Sequence, residues 1–204
     1  MTDYVGAASS RDPSRTQESR LKAAPTRKAA GVTLWELMLA LGVVATLVGV
    51  GVPSFRQIAL DARRTSDVNA FVTAIQLARS EAAKRARSVI VCKTADRVRC
   101  GSREIEFDAG WMVFVNDDDL LPAGRSAAEP LLFAYAPVMG GTIVSNRPLY
   151  EFRAYRRRST NGTVTFCDER GARAARAVIV SYTGRPRVAA AGPGRRALVC
   201  AALP

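Results

Sequence analysis

Arg185 and Arg187 flank Pro186 and follow Gly184. A proline steers the residue before it away from the helical region. In extended chain, side chains two residues apart leave the same side, about 6.6 Å from one another. Two guanidinium groups so spaced suit neighbouring phosphates on one nucleic-acid strand, because arginine carries a permanent planar charge whose donors match phosphate in pairs. Gly184 is expected to allow a tight turn with no side chain to block approach. The second chemically loaded position is Glu36, near the start of a segment of bilayer length, where an ionisable group is costly and demands a partner. A helix-start glutamate favoured by the macrodipole is the plainer account of it. The chain has no histidine, which removes Ser-His and Cys-His nucleophile pairs and the commonest zinc ligand. Neither a catalytic set nor a cofactor site is expected.

The 204 residues carry 30 Lys+Arg against 18 Asp+Glu, a formal charge of +12, which calls for an anionic partner. Residues 32–145 hold 12 basic and 12 acidic side chains, whereas 146–204 hold 12 arginines against Glu151, Asp168 and Glu169. A genome-wide arginine bias would raise arginine everywhere, and the balanced stretch shows no excess. Arg156, Arg157 and Arg158, with Arg195 and Arg196, are therefore expected to help Arg185 and Arg187 hold phosphates. Tyr150, Tyr155 and Tyr182 could stack on bases, though strand tyrosines more often pack half-buried.

These groups need elements to position them. Residues 1–31 are polar and charged without apolar periodicity, and are expected not to fold alone. A nearly charge-free run follows, uncharged from Leu37 to Phe55, long enough as a helix to cross a hydrocarbon core. Arg20, Lys22, Arg27 and Lys28 before it hold the N-terminus in the cytoplasm, so the remainder is exported. Residues 32–55 are read as a transmembrane helix and 56–87 as its amphipathic continuation. Phe55, Ile58, Val68, Phe71 and Ile75 are expected on the buried face, with Arg63, Arg64 and Asp67 outside it. Residues 88–204 form a β-rich head with strands expected at 88–93, 104–107, 110–115, 131–136, 142–144, 150–155, 163–166 and 177–182. The fold class is α+β, a long N-terminal helix packed on an antiparallel head.

Cys92, Cys100, Cys167 and Cys200 lie on the exported side, where disulfides persist. Four cysteines allow three pairings. The short interval KTADRVR favours Cys92 with Cys100 across a hairpin connection, leaving Cys167 to tether Cys200. Zinc is disfavoured by the lack of any C-x-x-C pair. The run Asn116-Asp117-Asp118-Asp119 lacks the spacing of a calcium loop and is read as a solvated turn.

Gly31 followed by Val32-Thr33-Leu34-Trp35-Glu36-Leu37-Met38 resembles the type IV prepilin class. The resemblance implies removal of residues 1–31 by a prepilin peptidase, methylation of the new terminus at Val32, and polymerisation with other pilin subunits through the apolar helix. It also implies an inner-membrane location with a periplasmic head before assembly. Opposite unit charges about 4 Å apart attract by roughly 4 kcal/mol at an effective dielectric near 20. Glu36 of one subunit would therefore seek the Val32 ammonium of its neighbour and set the register. Pro53, after Gly49 and Gly51, weakens the helix near the end of the span, either as a kink or as a site of local melting. The segments around Cys92–Cys100, Gly110–Asn116, Gly162–Gly171 and Ser181–Arg187 together resemble the GspH/FimT group of minor pilins. In FimT-like members a Gly-Arg-x-Arg motif is associated with DNA binding during uptake in natural transformation. The alternative is a structural minor pseudopilin of a type II secretion system, whose basic end docks an acidic neighbour.

Overall fold

The computed structural model describes residues 31–101, 104–118, 124–154 and 159–200. One helix, α1 (Leu34–Arg85), precedes eight strands: β1 (Ser88–Lys93), β2 (Trp111–Asn116), β3 (Leu131–Tyr135), β4 (Thr142–Ser145), β5 (Leu149–Phe152), β6 (Gly162–Cys167), β7 (Arg176–Val180) and β8 (Pro186–Ala189). The chain divides into two units between Thr46 and Leu47. In the first, α1 begins with Thr33 as its cap: the Glu36 N–H donates to Thr33 Oγ1 at 3.2 Å. A threonine three residues before a glutamate at a helix start is the capping-box arrangement, so the local sequence itself fixes where the helix begins. The apolar side chains from Leu34 to Leu47 are exposed.

In the second unit the helix continues unbroken through Pro53. Its buried positions are Arg64, Asp67, Val68, Phe71, Ala74, Ile75, Ala78 and Ala82, a stripe at spacings of three and four that faces one side of a helix. Two antiparallel sheets, ordered β3-β2-β1-β5 and β4-β6-β7-β8, receive this stripe. Phe71 is fully buried and makes edge-to-face contacts with Trp111 of β2 at 5.4 Å, Tyr150 of β5 at 5.9 Å and Phe166 of β6 at 6.0 Å. One ring thus touches both sheets. The alanines around it keep the helix surface low enough for the strands to approach.

Strand alternation gives each sheet a second covered face. Val89 and Val91 point to the helix, whereas Ile90 and Cys92 join Met112, Phe114, Ala134 and Leu149 in a separate cluster with Cys100. On the other sheet Val178 and Val180 face the main core while Ala177 and Ile179 pack against Leu198 and Cys200. Cys92 is bonded to Cys100, and Cys167 to Cys200, so each disulfide pins a covering segment onto an outer sheet face. The second closes the longer loop, with a sequence separation of 33; chain-entropy reasoning assigns such a loop about 3–4 kcal/mol.

The helix departs from the expected amphipathic face. Phe55 and Ile58 are 72 % and 65 % exposed, whereas Arg64 and Asp67 are buried. Both charges are tolerated because they are paired. Asp67 accepts from Tyr135 Oη at 2.9 Å, the Val138 N–H at 3.0 Å and the Met139 N–H at 2.8 Å; an unpaired buried donor costs about 1–3 kcal/mol, so one carboxylate settles three. Arg64 donates to the Ala174 carbonyl and to Asp61, and lies 3.5 Å from Asp168. Arg170 completes this clasp with hydrogen bonds to Asp61, Asp168 and Gln57. The segment expected as a strand at 104–107 is instead irregular chain leading into a 3-10 turn, Phe107–Ala109, whose Phe107 ring fills the core beside Phe71. The strand expected at 150–155 is β5, Leu149–Phe152, which ends sooner; residues 155–158 lie outside the described residues.

The clasp makes stability depend on acid in a definite direction. Arg170, by hydrogen bonding, holds the Asp61 carboxyl below its ordinary value of 3.8. Burial alone would raise Asp168, but hydrogen bonds from Arg170 outweigh it and the net direction is also downward. Depressed carboxylates contribute stability that is complete above their unfolded pKa and is lost as pH falls through the folded one. Acid unfolding of the full chain in nonionic detergent, followed by Trp111 fluorescence, should therefore shift to higher pH in Arg170→Gln. An unchanged acid midpoint would contradict the assignment.

Candidate nucleic-acid interface

The hairpin joining β7 to β8 carries the Gly-Arg-Pro-Arg sequence. Its loop is Tyr182-Thr183-Gly184, closed by the Ser181 N–H donating to the Arg185 carbonyl at 3.1 Å and the Gly184 N–H donating to the Ser181 carbonyl at 2.9 Å. Ser181 Oγ also accepts from the Arg185 N–H at 3.2 Å. Gly184 has φ +72°, the left-handed conformation that ends three-residue hairpin loops and that side chains rarely adopt. A Cβ there would come 2.9 Å from the Phe152 ring. The expected tight turn is present; the glycine itself is buried against Phe152 and so does not clear space for a ligand.

Strand β8 starts at Pro186, at the open edge of its sheet, with Val180 opposite Pro186 and Ile179 opposite Arg187. A proline at the first residue of an edge strand costs no ladder bond. Arg187 shares the sheet face of Ile179, where Leu198 and Cys200 pack. Arg185 lies one residue earlier, in the loop closure, and lines a groove of about 610 Å³ with Pro186 and the helix residues Gln76, Arg79, Ser80 and Ala83. The expected extended chain, which would turn both guanidinium groups one way, is present at Arg187; Arg185 lies before the strand, against the groove beside α1. Both are exposed, and neither makes a side-chain hydrogen bond or ion pair among the described residues.

The arginines after residue 145 separate into two groups. Arg147 donates to the Asn161 carbonyl, Arg153 pairs with Glu151, Arg170 belongs to the clasp, and Arg176 donates to the Ala175 carbonyl. These are structural. Arg173, Arg185, Arg187, Arg195 and Arg196 are exposed and have no such partner among the described residues. Arg195 and Arg196 sit on the turn around Pro193–Arg195, closed by the Gly192 N–H donating to the Arg196 carbonyl at 2.8 Å. That turn precedes Leu198, which packs on the outer face that Arg187 shares. Arg156, Arg157, Arg158 and Tyr155 lie outside the described residues, but the Ser159 N–H that follows them donates to the Tyr182 carbonyl at 2.8 Å. Tyr150 is unavailable for stacking: it is buried against Phe71, and burial pushes its phenol up to about 12. Tyr182 is 59 % exposed beside the motif.

Arg79, a lone arginine on a helix that carries no motif, is brought to the groove beside Arg185 by the register of α1 against the β7–β8 turn. At the other end of the chain, Gly31, Val32 and Thr33 precede the helix and are exposed, and Glu36 is exposed in its first turn. Among the described residues no group of three His, Cys, Asp or Glu could hold a metal ion. The Asp117 N–H donates to Glu129 Oε1 at 2.9 Å and the Asp117 carboxylate lies 4.0 Å from Arg87; Asp119 lies outside the described residues.

An apolar N-terminal helix that continues into one packed on antiparallel sheets defines the pilin-like class of proteins. A family described as "Type II transport protein GspH" matches residues 67–184, and the chain belongs to that family of minor pilins and pseudopilins. Two crystal structures of the type IV minor pilin FimU from Pseudomonas aeruginosa strain PAO1 are similar at 20 % identity and a TM-score of 0.46. In space group P65 the match covers 67 % of this chain and 96 % of FimU, and in P21 71 % and 96 %. None of the curated proteins matches the sequence.

Proposed function

We propose that this chain is a minor type IV pilin that holds DNA through its sugar-phosphate backbone and supports DNA uptake. The observation that carries the reading is the β7–β8 hairpin, which presents Arg185 and Arg187 exposed and without protein partners on a turn fixed by Gly184. The turn fixes the backbone in advance, so the ordering cost of holding phosphate falls on the side chains alone, and backbone contacts of this kind are independent of sequence. Arg195 and Arg196 extend the basic surface, and Arg156, Arg157 and Arg158 add to the charge of this part of the sequence.

Assembly follows from the other end. Leu34–Arg85 contains the one span among the described residues long and apolar enough to cross a membrane. Extended, exposed chain at Gly31 and Val32, ending where Thr33 caps the helix, suits a prepilin peptidase, since proteases act on non-helical chain. The product would anchor in the inner membrane with its head in the periplasm, and Glu36 would pair with the methylated Val32 terminus of an adjoining subunit. Pro53 supplies the place where the helix can yield, as residue 49 lacks its backbone donor. Mass spectrometry of the chain purified from its native membrane should give an N-terminus at Val32 with one added methyl group; an intact leader or another cut site contradicts this step.

The matched family's description, which names type II transport, favours one other reading: a structural pseudopilin whose basic end docks an acidic neighbour. DNA retardation separates the two. Full-length chain in nonionic detergent should retard duplex DNA at low salt, and Arg185→Ala with Arg187→Ala should lower the log–log salt slope by about two, one for each lost phosphate contact. No retardation, or an unaltered slope in the double variant, rejects DNA binding at this site.

A further inference from the structure

We infer that Arg79 of α1 is a DNA-binding residue, and that one strand's phosphodiester backbone seats in the groove between α1 and the β7–β8 hairpin, held from both walls by Arg79 and Arg185. The inference rests on the reading above and adds to it a second wall, carried by the helix. Gln76, Arg79, Ser80 and Ala83 recur at spacings of three and four, so they form one stripe, adjacent to the stripe of Ile75, Ala78 and Ala82 that the core buries. Arg185 and Pro186 form the opposite wall.

The chemistry of that lining is one-sided. Both charges are cationic, no carboxylate lines the groove, and Arg79, Arg185 and Gln76 make no side-chain hydrogen bond or ion pair among the described residues. Ser80 Oγ already donates to the Leu77 carbonyl at 3.0 Å, which leaves the Gln76 amide as the neutral donor. The nearest acid on that part of the helix, Glu81, is neutralised by Lys84 at 3.1 Å and Arg85 at 2.7 Å. A second groove, farther down the same helix and beside Val188, has the opposite character: it is lined by Asp61, Arg64 and Arg176, whose charges are already paired or hydrogen-bonded. Of these two grooves, the one between Arg79 and Arg185 is the one that offers an anion uncommitted cations. Ala83 and Pro186 are small or flat, and the open groove of about 610 Å³ admits a sugar-phosphate segment. The occupant is the sugar-phosphate backbone of one strand.

The test is fluorescence anisotropy of a labelled single-stranded oligonucleotide against the full-length chain in nonionic detergent across a salt series. Arg79→Gln should weaken binding about three- to tenfold near 0.1 M salt and reduce the log–log slope by about 0.7, the value for one phosphate on a single strand. Arg63→Gln removes the same charge from an exposed helix position outside the groove and should change binding less than twofold. Matching unfolding profiles for both variants show that the fold is retained. Equal effects of Arg79→Gln and Arg63→Gln, with the Arg185/Arg187 double variant still defective, overturn the helix wall and leave the hairpin reading standing. Absence of binding by the unaltered chain overturns both. Displacement of the oligonucleotide by polyglutamate of equal charge as readily as by unlabelled DNA would assign the groove to an acidic protein segment and overturn it as well.

Discussion

The Phe71 ring is the contact on which the head depends. It sits at the middle of the helical stripe and meets aromatic edges from both sheets, so the two sheets share their packing partner and cannot be placed independently of the helix. Edge-to-face rings contribute about 0.5–1.5 kcal/mol each beyond their buried area, and four surround this one side chain. Asp67, one turn earlier, locks the same register by polar means, binding the end of β3 and the chain just beyond it. Together they fix which helix residues face β8, and hence which side chains stand across from the basic hairpin.

The proposed DNA contact falls on what that scaffold leaves unpaired among the described residues. Arginines that fold the head, such as Arg64 and Arg170, are spent on carboxylates and carbonyls. Those on the β7–β8 hairpin and the following turn are not, among the described residues, and Arg187 lies on β8, the open edge of the second sheet. An edge strand normally risks pairing with other chains; a proline at its start and an exposed arginine within it discourage that, so the same residues protect the edge and charge it.

Much of this was legible in the sequence where local rules dominate. The helix was readable from its apolar run, and β1 from a β-branched stretch whose bounds matched those of the structure. Of the three possible cysteine pairings, the short Cys92–Cys100 interval favoured the one the structure has, with Cys167–Cys200 as its remainder. Tertiary partners were not legible. Arg64 and Asp67 look like solvated charges until Ala174, Tyr135 and the chain at Val138 and Met139 are brought to them from about 70 to 110 residues away. The stretch at 104–107 alternates like a strand, but Phe107 is drawn into the core and the chain turns. β8 is short and begins with proline, so its pairing with β7 could not be read from propensity, and with it the groove against α1 was hidden.

The central claim is that Arg185 and Arg187 are free to meet phosphate and do so. The direct measurement is the reactivity of individual arginines toward phenylglyoxal, read by peptide mass spectrometry with and without DNA. The account predicts rapid modification of both in the free protein and protection of both by DNA, while Arg63 reacts equally in the two samples. Unchanged reactivity of Arg185 and Arg187 on adding DNA, under conditions where DNA is bound, would contradict it.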